Sequence, residues 1–367
     1  MKILIHSNYN PSNFGGIEMV SNFLISALRN DKNNKIDCVY GAKYQSVKYI
    51  NRVKYYGLKI LFKIKGISFL YKGNLNFLKL ALKSDLIIFQ EPYPSLWVSI
   101  FFLNRLLHKK IILLIHADPE SLILLKIIYK IIRSIVFKNV TVVATSPQLM
   151  EICRSIKSDN RHLIPLGLPD YFSHKISGDI GEDINNIPSR YVLYVGRLAH
   201  YKGLKTLVLT IKNTPLVNYV IAGDGPLNRY LVNFIDTNEL KNVFFINRFI
   251  SESEKKMLIK NCLFLVFPSI NQNEAFGLVQ LEAMIYSKPI INTMIKTGVN
   301  YVAPHMVCAI TVSPSNSYEL TSAINLLSRD SNLRLKLGSL GRKRYQNLFL
   351  IDNFFYSWRK LIKDTYN

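Results

Sequence analysis

Short apolar runs recur along the chain, each stopped by glycine, proline or a polar pair. The segments between them carry apolar residues at helical spacing. Lys2 to Ser7, Leu86 to Gln90, Lys110 to Ile115 and Val140 to Ala144 predict buried strands, because they are short, rich in β-branched residues and bounded by turn formers. Tyr191 to Val195, Asn218 to Ala222, Val243 to Ile246, Leu263 to Phe267 and Pro289 to Asn292 repeat the pattern. Helices are predicted over Ile17 to Leu28, Ser95 to Leu107, Leu122 to Phe137, Leu204 to Ile211 and Leu278 to Tyr286. The tail, with Phe354, Tyr356, Trp358 and Leu361, predicts an amphipathic helix. Strand–helix alternation belongs to parallel sheets covered by helices, and here it runs twice, before and after a stretch rich in Ser, Gly, Asp and Asn. The expectation is an α/β fold of two Rossmann-like domains facing across a cleft. The first covers 1–172, a linker 173–188 follows, the second covers 189–348, and 349–367 forms a terminal helix.

Composition supports two cores. A chain of 367 residues is too long for one typical core, and 49% hydrophobic residues excludes disorder. Cys38, Cys153, Cys262 and Cys308 are scattered with no Cys-x-x-Cys pair, which predicts reduced thiols in a cytoplasmic protein, with no disulfide frame and no zinc site. The N-terminus goes straight into a strand pattern, so no N-terminal export signal is expected.

The net charge of +23 calls for an anionic partner. No zinc-finger spacing, RNP sequence or basic region with heptads occurs, which argues against nucleic acid. The distribution favours an anionic membrane surface. From Lys43 to Lys83 there is no acidic residue, and cations alternate with Tyr55, Tyr56, Leu61, Phe62, Phe69, Leu70 and Tyr71. Aromatic rings settle at headgroup level, and each basic residue adds about 1 kcal/mol near an anionic leaflet. The competing reading is that the rings fill a core while the lysines face water. Lys126, Lys130 and Arg133 fall in one stripe of an otherwise apolar helix, as on an in-plane membrane helix or on one half buried in the protein. A span is excluded around Ser95 to Leu107, where Glu91, Pro92, Pro94 and Arg105 interrupt the run.

Candidate chemistry clusters where strands end. Pro268 to Glu282 reads as strand exit, loop and helix N-terminus, where free N–H groups and the helix dipole favour a phosphate. Glu274 in the loop and Glu282 inside the helix stand up to about 12 Å apart at 1.5 Å per residue, too far to share a proton or metal. They suit opposite ends of a ligand with a diphosphate in its middle, since carboxylates accept hydroxyl donors. Gly196-Arg197-Leu198, followed by Lys202-Gly203, offers a planar fork and a point charge to that diphosphate. Gly223-Asp224-Gly225-Pro226 leaves the next strand at the same edge. In the first half, Gly15-Gly16 joins strand to helix, either as a tight turn or as a place for close ligand approach. His116 follows a strand end, as a structural donor or facing the ligand.

Glu274-x7-Glu282, with Phe276-Gly277-Leu278 inside it and Ala283-Met284 after it, resembles the signature of the retaining family 4 glycosyltransferases of GT-B fold. Gly-Arg-Leu-x3-Lys-Gly at 196–203 is similar to that family's donor-phosphate motif. The resemblance spans nearly the whole chain. It implies that Glu282 holds ribose, and that Arg197 and Lys202 hold the diphosphate with the N–H groups of Gly277, Leu278 and Val279. Glu274 then orients the sugar, His116 touches the transferred sugar or acceptor, and Gly15 and Gly16 face the donor phosphates and the acceptor. Phe276, Gly223, Gly225 and Arg248 join the expected donor-binding set, and the terminal helix is expected to cross back onto the first domain. Departures stand at Asn247-Arg248-Phe249, where the family commonly places a glycine near the base, at Lys296 to Asn300, and at Cys308-Ala309-Ile310. With no Asp-x-Asp in the chain, neither metal nor cofactor is expected. The implied reaction moves a hexose from a GDP or UDP sugar to a lipid-linked acceptor, a polyprenyl diphosphate, in O-antigen, lipopolysaccharide, capsule or exopolysaccharide assembly at the inner leaflet. A nucleotide-sugar epimerase on the same platform and a nucleic-acid binder are the rival readings.

Overall fold

Two sheets take up the apolar runs in the computed structural model, which describes residues 1–8, 16–64, 67–70, 72–116, 126–176, 178 and 180–366. The chain divides into one unit of 1–166 with 351–367 and a second of 167–350. The first crossing falls between Leu166 and Gly167. The stretch 173–188 therefore lies within the second unit instead of forming a linker, and it carries a short helix, Glu182–Asn185.

The first unit holds β1 (Lys2–Ser7), β2 (Lys35–Ala42), β3 (Ser46–Ile50), β4 (Val53–Ile64) and β5 (Ile67–Leu70). It continues with β6 (Leu86–Glu91), β7 (Lys110–Ile115), β8 (Thr141–Ala144) and β9 (Arg161–Leu163). Their order is β3-β4-β2-β1-β6-β7-β8-β9, with β5 on β4. β1 and β6 to β8 are almost wholly buried and read as continuous apolar runs, as parallel strands covered on both faces do. The β3–β4 and β4–β5 pairs are antiparallel. They extend the sheet with a half-exposed edge that alternates lysine with aromatic residues, so its period is masked by the charge. Lysines along an edge strand also discourage pairing with another chain. The helix Ile351–Tyr366 packs on Gly16–Arg29, where Arg359 Nε donates to the Ala27 carbonyl at 2.8 Å and Trp358 is fully buried.

The second unit builds β10 (Val192–Val195), β11 (Tyr219–Ala222), β12 (Val243–Ile246), β13 (Phe264–Phe267), β14 (Ile290–Thr293) and β15 (Ala309–Val312). Their order is β12-β11-β10-β13-β14-β15, every pair parallel. The order reverses direction at β10/β13, the switch point where open α/β sheets bind ligands outside the carboxyl ends of their strands.

The basic stripe expected on the 126–136 helix does not form as read. Arg133 is buried, and its Nε meets Glu91 Oε2 at 2.7 Å, with side-chain exposures of 2% and 1%. Trp97 Nε1 donates to Glu91 Oε1 at 3.1 Å. Burial opposes the guanidinium charge and the Glu91 carboxylate more than restores it, so the Arg133 pKa is raised. The side chain of Lys126 and residues 117–125 lie outside the described residues. Exposed on this helix are Lys130, Ile131, Ile132 and Ile135. In the 43–83 tract, Tyr56 and Leu70 pack on the core, while Tyr44, Tyr49, Leu61 and Phe62 are exposed. The rings of that tract are thus divided between core and surface; Phe69's side chain and Tyr71 lie outside the described residues.

Candidate active site

Glycine sets the scaffold of the site in the second unit. Gly203 has φ +72°, and a Cβ there would overlap the Pro268 carbonyl oxygen. Ile270 N donates to Tyr201 O at 2.8 Å, so the loop after β10 lies directly on the loop after β13. Gly223, at φ +144°, does the same one strand over, where a Cβ would overlap the Gly196 carbonyl. Leu198 N donates to Asp224 O at 2.9 Å, and Gly225 packs on Leu198. Gly223 and Gly225 thus have a structural duty: they let the Arg197 loop seat against β11's exit.

This docking brings Lys202 to Glu274. Their Nζ and Oε2 stand 2.5 Å apart, with side-chain exposures of 16% and 11%. Ser269 Oγ donates to the same carboxylate oxygen at 3.1 Å, and the ammonium lies 5.2 Å from the Phe267 ring centroid. Arg197 is exposed, and no carboxylate pairs with it among the described residues. The helix Leu278–Ile285 begins at Gly277 without a side-chain cap. Gln280 N takes Gly277 O at 2.9 Å, so the N–H groups of Gly277, Leu278 and Val279 form the open first turn. Phe276 is buried against Phe349, with ring centroids 6.2 Å apart, so its side chain belongs to the core.

Behind that turn runs a polar network absent from the sequence reading. Gln280 Nε2 donates to Val299 O at 3.2 Å, Asn292 Nδ2 to Gln280 Oε1 at 3.0 Å, and Thr311 Oγ1 to Asn292 Oδ1 at 2.7 Å. Gly298 N donates to Ala275 O at 2.8 Å. The single-glycine loop at 296–300 therefore still braces the segment that carries Glu274.

Glu282 is buried, and its Oε1 pairs with Lys255 Nζ at 2.8 Å. Lys255 comes from the helix Glu252–Asn261 and also pairs with Glu252 at 2.8 Å. Burial pushes the Glu282 carboxyl up, and Lys255 pulls it only part of the way back, so it stays above the usual carboxylate range. Burial works against the Lys255 charge, but Glu282 and Glu252 together hold it above the usual lysine range. Each glutamate of the spaced pair is thus met by a lysine from an earlier segment.

Arg248, expected beside the base, is committed elsewhere. Nε and Nη2 grip Asp183 at 3.1 and 2.8 Å, and Nη1 and Nη2 grip Glu254 at 3.0 and 2.7 Å. Glu254 also accepts from Gly181 N at 3.1 Å and closes the capping box with Ser251. The hydrogen bonds from Arg248 hold Glu254 down at about 2. With two carboxylates on one guanidinium, Arg248 fastens 181–183 to the sheet and is not available to a ligand.

In the first unit His116 sits just past β7, buried, with Nε2 3.1 Å from Gln90 Oε1. Gln90 Nε2 donates to Ser21 Oγ at 3.1 Å, and Ser21 and Ser7 hydroxyls are 2.9 Å apart. Burial lowers His116 to about 4, so at neutral pH it is an uncharged hydrogen-bonding group. Gly16 opens the helix Gly16–Arg29, whereas Gly15 lies outside the described residues.

Residues 182–344 match the family model described as Glycosyl transferases group 1. The matched span lies within the second unit, and the whole chain shares its fold with GT-B glycosyltransferases. Over 359 residues the chain is 26% identical to O-antigen chain mannosyltransferase C of Escherichia coli, covering 96% of this chain and 95% of that one. It is 27% identical over 278 residues to D-rhamnosyltransferase WbpZ of Pseudomonas aeruginosa, covering 74% and 72%. Among solved structures, Anabaena HepE in complex with UDP shares the fold at TM-score 0.76 and 16% identity, covering 99% of this chain and 100% of that one.

Proposed function

We propose that the protein is a retaining, metal-independent hexosyltransferase that uses a GDP or UDP sugar and builds a lipid-linked oligosaccharide for O-antigen, lipopolysaccharide or capsule. The observation that carries this reading is the Lys202–Glu274 pair, seated by Gly203 on the loop that leads into an uncapped helix N-terminus. Lys202 keeps two further N–H donors, and the exposed Arg197 supplies a fork. Together with the first-turn N–H groups they offer a diphosphate several donors and positive charge without a metal. Glu274 takes hydroxyls of the sugar and Glu282 those of the ribose. In the first unit His116, neutral, would serve the sugar or the acceptor as a hydrogen-bonding group.

In the proposed step the bond from the sugar's anomeric carbon to the phosphate oxygen breaks, and the acceptor hydroxyl forms its bond on the same face. The hydroxyl proton passes to the departing phosphate oxygen, and a nucleoside diphosphate leaves. No protein nucleophile takes part. The mannosyl- and rhamnosyltransferase relatives favour a surface-polysaccharide acceptor, and the UDP-bound neighbour favours a nucleoside diphosphate donor.

The lipid acceptor places the enzyme on the inner face of the cytoplasmic membrane. Among the described residues no helix is long and apolar enough to cross a membrane. Support for surface binding comes from the neighbouring helices Gly73–Leu82, Trp97–Arg105 and Lys126–Val136, which contain no acidic residue. They expose Leu75, Val98, Ile131 and Ile135 beside Lys79, Arg105 and Lys130. The test is mass spectrometry after mixing the purified protein with UDP and GDP sugars and polyprenyl diphosphate-linked acceptors. A hexose added with its anomeric configuration retained, and undiminished by EDTA, is expected. Isomerised donor without acceptor would make it an epimerase instead.

A further inference from the structure

Glu282 sits in a place that does not favour an ionised carboxylate. Only 6% of its side chain is exposed, and an isolated charge buried so deeply costs several kcal/mol unless paired. One pairing is present, Oε1 to Lys255 Nζ at 2.8 Å, leaving Oε2 with no protein partner among the described residues. The lysine is itself braced: Glu252, three residues before it on the same helix, holds the ammonium at 2.8 Å from the solvent side. Its helix is anchored at its start by the Ser251–Glu254 capping box and the Arg248 grip on Glu254.

We propose that Lys255 is a positioning residue of the site: its ammonium fixes the buried Glu282 carboxylate as a charged acceptor with Oε2 turned to the ribose hydroxyls of the nucleotide. This rests on the reading that Glu282 holds ribose. Other charged and titratable groups near Glu282 are few. From the helix Glu252–Asn261 come Glu252, which disfavours its charge, and Lys256, which favours it and also lies 4.3 Å over the Tyr171 ring. From its own helix comes Tyr286, one turn on, and from the start of the unit Tyr171, with ring centroids 5.7 Å apart. Burial first, and the Glu282 charge after it, raise both tyrosines, so neither gives up its proton near neutral pH. Lys255 is the one cation among them in direct contact.

Removing Lys255 leaves burial opposed only by the more distant Lys256, so the carboxyl protonates at higher pH. A protonated carboxyl is a weaker acceptor, and ribose binding falls as pH drops through the new pKa, by about tenfold for each unit below it. The experiment is titration calorimetry of UDP and of GDP into wild type, Lys255→Met, Lys255→Gln, Lys255→Arg and Glu282→Gln at pH 6, 7, 8 and 9, with a thermal melt of each. A variant too unstable to titrate leaves the others to carry the comparison. Wild type is expected to bind with little pH dependence. Lys255→Met and Lys255→Gln should bind about tenfold more weakly at pH 6 to 7 and recover toward wild type by pH 9. Lys255→Arg should keep most of the affinity, and Glu282→Gln should be weak throughout. Profiles parallel to wild type, with only a lower melting temperature, would make Lys255 a mere helix staple and overturn the proposal. Wild-type affinity in Glu282→Gln would remove its basis, and failure of wild type to bind either nucleotide would overturn the donor reading and the proposal with it.

Discussion

The two units bury a carboxylate against a cation in ways that differ in kind. In the first, Glu91 and Arg133 close on each other in the core, with Trp97 taking the second oxygen. In the second, Glu274 and Glu282 each meet one lysine at the carboxyl edge of the sheet, next to an exposed arginine and an open helix turn. The difference lies in what remains unmet. Glu91 has both oxygens engaged, so the pair ties the 126–136 helix to β6. The glutamates of the second unit retain acceptor capacity, which is what a site needs and a core does not.

Breaking each pair should therefore give opposite signatures. Arg133→Met strands a buried carboxylate and is expected to destabilise the first unit by about 3 to 5 kcal/mol, with Glu91→Gln/Arg133→Met recovering much of it. Urea unfolding followed by tryptophan fluorescence checks this, since both tryptophans, Trp97 and Trp358, lie in the first unit. Glu274→Gln should do the reverse: transfer falls by about 100-fold or more while the melting temperature hardly moves, as read by product formation and a thermal melt.

Acid sharpens the contrast. Burial holds His116 down at about 4 and, among Phe89 and Tyr93, His6 at about 3. The unfolded chain protonates both near 6.5, so between these values it binds more protons than the folded one. Stability of the first unit is thus fully present above pH 6.5 and is lost as pH falls toward 4, by about 1 kcal/mol per pH unit for each histidine. The Arg248 clamp of the second unit, with Glu254 at about 2, persists through that window. Tryptophan fluorescence should therefore report unfolding at a higher pH than the loss of second-unit signals followed by hydrogen exchange. The smallest effect concerns the surface. Lys130→Glu with Ile131→Ser should weaken flotation with phosphatidylglycerol vesicles by several-fold, at about 1 kcal/mol per charge, and leave folding intact.

How far the fold and site could be read from the sequence follows the range of the interactions. β7, Lys110–Ile115, and β1, Lys2–Ser7, coincide with their apolar runs because a covered parallel strand writes its burial into nearly every residue. Lys202 and Glu274 could be grouped because motif spacing and the strand–loop–helix pattern put both at one sheet edge. β3 to β5 escaped, since an exposed antiparallel edge mixes lysine with aromatic residues and resembles a surface tract. Arg133, Arg248 and Lys255 were misplaced or missed for one reason: their partners Glu91, Asp183 with Glu254, and Glu282 are distant in sequence or on another element, and a lone cation on a helix or loop reads as solvated. Gln280 and Asn292 were hidden likewise, as polar residues inside apolar segments whose partners are one strand away.

The central claim is that the second unit grips an activated sugar along its length, with lysine-held glutamates at the two ends and positive charge between. A crystal structure with UDP-glucose or GDP-mannose bound tests it most directly. The account predicts the diphosphate within hydrogen-bonding distance of Lys202 Nζ, the Arg197 guanidinium and the N–H groups of Leu278 and Val279, with ribose on Glu282. Nucleotide bound elsewhere in the second unit, with Lys202 and Glu274 facing only water, would contradict it.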